Sequence, residues 1–103
     1  MTLPKLQGTE KQIAWAEEIR DKRLAEADAV IAKMLAKTQS YSEQKQNEVK
    51  RQAACVREML ASRDSAAYWI DTRDCWINDL MMRTDAQLAE QMGWQESATK
   101  SWR

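Results

Sequence analysis

Apolar side chains at Ile13, Ala16, Ile19, Leu24, Ala27, Val30, Ile31, Met34 and Leu35 recur three and four positions apart. That is the spacing of one face of an α-helix, and it predicts a long amphipathic helix ending near Lys37. Its start is marked by Thr9 and Gln12, a capping box in which the hydroxyl accepts from an early amide while the Gln side chain reaches back. The helix should therefore begin at Glu10. Gly8 lets the chain turn into it, and Pro4 biases Leu3 away from helix, so residues 1–8 are predicted to form an extended arm with Leu3 and Leu6 as apolar anchors.

A second helical stripe runs through Val49, Ala53, Val56 and Leu60, with Met59 alongside, after a break in which Thr38, Ser40 and Ser42 supply caps. A third stretch, "AAYWIDTRDCWINDLMM", follows Asp64 or Ser65 as its cap. Its core candidates are Trp69, Ile70, Ile77, Leu80 and Met81, with Trp76 as a further one, and it should bend or split near Asp74. Thr84 or Asp85 is read as opening a short last helix that Gly93 ends in the left-handed conformation, with Trp94 folding back as the apolar contact. Residues 84–103 would then form a C-terminal helical hairpin. The expected fold is all-α, a compact bundle of four to five helices in a single domain.

Composition strengthens this reading. The 103 residues suffice for one domain, and with two Gly, one Pro and no Phe the chain favours helix over sheet. Sixteen basic and sixteen acidic residues cancel, so no global field gathers nucleic acid or an anionic membrane surface. Locally the charges separate. Lys45, Lys50, Arg51, Arg57 and Arg63 dominate residues 38–63, whereas Asp64, Asp71, Asp74 and Asp79 face only Arg73 in residues 64–82. The ordinary meaning of such neighbours is intramolecular pairing. Cys55 and Cys75 read as reduced thiols of a cytoplasmic protein, and the apolar runs are too short to span a membrane.

Chemistry is excluded more readily than assigned. The chain has no histidine, the commonest general base and metal ligand. The cysteines lack a C-x-x-C partner, and Gly8 and Gly93 are too far apart for a phosphate loop. No enzymatic activity, cofactor or metal is expected. Leu88, Ala89, Met92, Gly93, Trp94, Thr99 and Trp102 fit the apolar, small and turn positions of a DNA-binding helix-turn-helix. The would-be reading helix carries only Lys100 and Arg103 against Glu96, a poor basic footprint. The same residues equally describe a hairpin that merely closes the bundle. Five tryptophans, Trp15, Trp69, Trp76, Trp94 and Trp102, are more than so small a core needs, and tryptophan is a favoured anchor at protein interfaces.

Two stretches carry a resemblance. "LQGTEKQIAWAEEIR" supplies Gly8, Thr9, Glu10, Lys11, Gln12, Trp15, Ala16 and Ile19; "SAAYWIDTRD" supplies Ile70, Asp71 and Arg73, with Thr72 where Asn is usual. Together they resemble a small helical domain of phages, plasmids and integrated elements, and are similar to a small inhibitor of type I-E CRISPR interference. The resemblance implies an anti-CRISPR protein of the host cytoplasm that binds a host protein or ribonucleoprotein, a CRISPR effector complex, stoichiometrically. It also implies that the two motifs meet. Trp15 would widen the buried face against Trp69 and Ile70, Asp71 would pair with Lys11 or Arg20, and Arg73 with Glu10 or Glu18.

The partner-binding surface is expected to combine Arg51, Arg57, Asp64, Asp74 and Asp79 with an exposed Trp76, the acids imitating phosphates in a basic channel. The alternative is a helix-turn-helix DNA-binding accessory protein using residues 84–103. Monomer and homodimer both remain open.

Overall fold

Thr9 opens the first helix as the spacing predicts: its Oγ1 accepts from Gln12 N at 3.2 Å, and Gln12 Oε1 accepts from Thr9 N at 3.0 Å. In the computed structural model, which describes residues 3–93, this is α1, Glu10–Lys37. Ser42 caps α2, Glu43–Ala61, and Ser65 caps the short α3, Ala66–Asp71. After a break at residues 72–76, α4 runs Ile77–Met92 and ends on Gly93 at φ 71°. These are four helices among the described residues, with no named strand, and the all-α class is as expected.

The long α1 packs against α2, α3 and α4, and α2 also packs against α4. Their common core holds Ala16, Leu24, Ala27 and Met34 of α1, Val49, Ala53, Val56 and Leu60 of α2, Trp69 of α3, and Ile77, Leu80 and Met81 of α4. Trp69 is fully buried, and its indole N–H donates to Arg63 O at 3.0 Å, which satisfies the one polar atom of that ring.

Residues 3–8 lie outside the helices and are fastened to them at three points. Leu6 is buried in the core, Arg20 Nη1 donates to Pro4 O at 2.7 Å, and Gln7 forms an isolated parallel bridge to Ser65. In that bridge Gln7 N donates to Asp64 O at 2.7 Å and Ala66 N donates to Gln7 O at 3.0 Å. Gly8, at φ 156°, sits where an added Cβ would meet Gln12 Oε1 at 2.9 Å and Ala66 Cβ at 3.1 Å, so the backbone passes too close for a side chain.

One boundary differs from the pattern. No helix starts at Thr84 or Asp85, because α4 passes through both. The polar side chains that resemble caps are spent inside the bundle: Thr84 Oγ1 donates back to Leu80 O at 2.8 Å, and Asp85 Oδ1 accepts from Gln52 Nε2 of α2 at 2.7 Å, with both residues buried. The C-terminal hairpin expected over residues 84–103 therefore has its first part in α4, and the remainder, including Trp94, Thr99, Lys100, Trp102 and Arg103, lies outside the described residues. The split expected near Asp74 does fall there, at residues 72–76, and makes α3 and α4 separate helices.

Candidate functional site

The break between α3 and α4 begins because Thr72 turns back on its own helix. Its N–H and its hydroxyl both donate to Tyr68 O, at 3.0 and 2.8 Å, and Cys75 N then donates to Thr72 O at 3.0 Å. The connector lies along α1 and is held to it twice. Arg73 places its guanidinium over the Trp15 ring, 5.0 Å from the centroid, and donates from Nη1 to Ile70 O at 2.6 Å. Two turns further along α1, the buried Arg23 donates from Nη2 to Cys75 O and from Nη1 to Glu26 Oε2.

Trp76 follows immediately as the N-cap residue of α4. It makes no side-chain capping bond and is 56% exposed, so it is not the core residue its spacing allowed. An N-cap favours a small polar side chain that can accept from the first amides, which an indole cannot do. Trp15 is 47% exposed, and the expectation that it widens the buried face is corrected. Arg73 covers one side of its ring, while Trp69, reached by the same helix packing, takes the core position alone. The motif pair does meet, but through a cation–π contact at the surface.

The ion pairs proposed from the motifs do not form. Arg20 is turned to Pro4 O, Arg73 is 3.9 Å from Asp74 Oδ2, and Asp71 is exposed at the end of α3. Glu10 and Lys11 are likewise exposed at the start of α1.

Nor do the six residues expected to form one partner surface come together. Arg57 is held by Asp28 of α1, Nε to Oδ1 at 2.7 Å and Nη2 to Oδ2 at 3.4 Å. Asp64 fastens the arm, with Oδ2 accepting from Gln7 Nε2 at 3.3 Å. Arg51 lies among Glu43, Asn47 and Glu48 on the outer side of α2. Asp79 is half-buried in the first turn of α4. Asp74 and Trp76 both lie on the connector, where Arg73 reaches Asp74 Oδ2 at 3.9 Å and covers the Trp15 ring; the motif pair assigns Trp15 and Arg73 to packing. The exposed residues Trp15, Arg73, Asp74 and Trp76, on the connector and the stretch of α1 that Arg73 reaches, are the candidate site.

Tyr68 is the one described group whose titration is clearly displaced. Burial raises its phenol above the ordinary value of 10.0, opposed in part by the nearby Arg63 guanidinium, which stacks 5.2 Å from the ring centroid. Both cysteines are free and half-buried. Among the described residues no group of three or more Cys, Asp or Glu side chains is placed to hold a metal ion, and no helix is long and apolar enough to cross a membrane. Comparison of the chain with protein-family models, with curated proteins and with solved structures produced no match.

Proposed function

We propose that this protein acts by stoichiometric adhesion to a larger macromolecular assembly, using the face made by Trp15, Arg73, Asp74 and Trp76. The observation that carries the reading is Trp76. A tryptophan at an N-cap supplies no capping bond, and at 56% exposure it contributes little burial. A residue that breaks a local rule without a structural return is expected at a functional site, and exposed tryptophan is the side chain most often found to anchor a protein partner. The connector beneath it is fixed to α1 by Arg73 and Arg23, so little ordering entropy is lost on binding.

The most concrete assembly is a host CRISPR effector complex in the cytoplasm of a cell carrying a phage or mobile element, since the motif pair that resembles such inhibitors contains Trp15 and Arg73. In this reading the protein inhibits by occupying a surface and turns over no substrate, uses no cofactor and needs no membrane. A second reading, helix-turn-helix binding of duplex DNA, draws on Gly93, which ends α4 in the left-handed turn such a motif uses.

One experiment separates the two. Tagged full-length protein is incubated with a purified type I-E effector complex, and separately with duplex DNA over a salt series. Retention of the complex with no salt-sensitive retention on DNA supports the proposal. Salt-sensitive DNA binding without the complex would replace it by the second reading.

A further inference from the structure

Away from the tryptophan face, the arm and α2 enclose a groove of about 580 Å³. Leu3 and Pro4 form one wall; Ala54, Arg57, Glu58 and Ala61 of α2 form the other. Leu3 is 38% exposed there, a large apolar side chain left uncovered. Ala54 and Ala61 are seven positions apart and so lie on one line of the helix, giving α2 a smooth strip that another helix can approach closely.

We propose that a second copy of this chain occupies the groove, its α2 packed antiparallel on the first around a two-fold axis between Arg57 and Glu58. The argument is charge complementarity under that symmetry. A two-fold contact places the same patch on both partners, so the patch must complement itself. About this axis Ala54 faces Ala61 of the other copy, small against small, and Arg57 faces Glu58, cation against anion, each pair occurring twice.

Arg57 has donors to spare. Its Nε and Nη2 hold Asp28, leaving Nη1 for an incoming carboxylate. Glu58 is exposed and forms no ion pair among the described residues. The dimer leaves the tryptophan face open, because Trp15 and Asp28 emerge from α1 roughly 220° apart around the helix. The inference therefore stands independently of the proposed function.

The test is the solution mass of the full chain across a concentration series, by light scattering or sedimentation. The wild type is expected at twice its 12.0 kDa chain mass, whereas Ala54→Arg should halve the mass while leaving the helical circular dichroism unchanged. Charge exchange checks the register. The Glu58→Arg chain and the Arg57→Glu chain should each be monomeric, because like charges then meet across the axis, and an equimolar mixture should recover the dimer. A wild type that stays monomeric throughout would overturn the proposal and leave the groove to a different protein. A dimer indifferent to Ala54→Arg, or a charge-exchanged mixture that does not associate, would overturn it equally.

Discussion

The guanidinium of Arg73 lies over the indole of Trp15, joining the start of the longest helix to the break between α3 and α4. It is a surface contact, with Trp15 47% exposed. Trp15→Ala should therefore cost about 1–2 kcal/mol, the sum of partial burial and a cation–π contact. Chemical denaturation of the variant measures it, and a loss as large as that of a core tryptophan would mean that the ring is buried.

Trp69 provides that comparison. It is fully inside the bundle and donates to Arg63 O. Trp69→Ala should lose about 3–5 kcal/mol, the range of large-to-small core substitutions. Unfolding curves of the two alanine variants, run side by side, should differ by at least about 1 kcal/mol in the stability lost.

Much of the architecture was legible because its signals are local. The Thr9–Gln12 box, the Ser42 and Ser65 caps and the left-handed Gly93 each depend on residues within three or four positions, and each forms. The stripe from Val49 to Leu60 is likewise buried throughout. What was not legible depends on partners distant in sequence. Arg20 and Arg23 fall on the same stripe as Ala16 and Ala27, which was the available clue, but their burial is explained only by the carbonyls of Pro4 and Cys75. Asp85 resembles a cap until Gln52 of α2 is seen to reach it. The candidate site was half legible: Asp74 and Trp76 were expected on a binding face, whereas Arg57 and Asp64 are engaged by Asp28 and Gln7, and Trp15 and Arg73 had been assigned to packing.

The junction of arm and α1 yields a pair of substitutions with different causes. Thr9→Ala removes the capping acceptor and should cost about 1 kcal/mol. Gly8→Ala introduces a side chain at φ 156° against Gln12 and Ala66, and should cost about 1–3 kcal/mol. Thermal unfolding checks both; a neutral Gly8→Ala would show that the arm does not pass so close to α3.

Tyr68 predicts a loss of stability at high pH. Its phenol has a higher pKa folded than unfolded, so the folded state retains that proton more tightly. The associated stability is complete below the unfolded value of about 10 and is lost as pH rises through the folded value. Tyr68→Phe should flatten this alkaline decline, which denaturation between neutral pH and pH values above 10 would reveal.

The most direct test of adhesion through the tryptophan face is the affinity of the double variant Trp15→Ala, Trp76→Ala for the purified type I-E effector complex. The wild type should bind stoichiometrically. The double variant, still helical and cooperatively unfolding, should bind at least about thirtyfold more weakly, the loss expected for removal of an interface anchor worth about 2 kcal/mol. Equal affinity of the two proteins, or no binding by the wild type, would contradict the account.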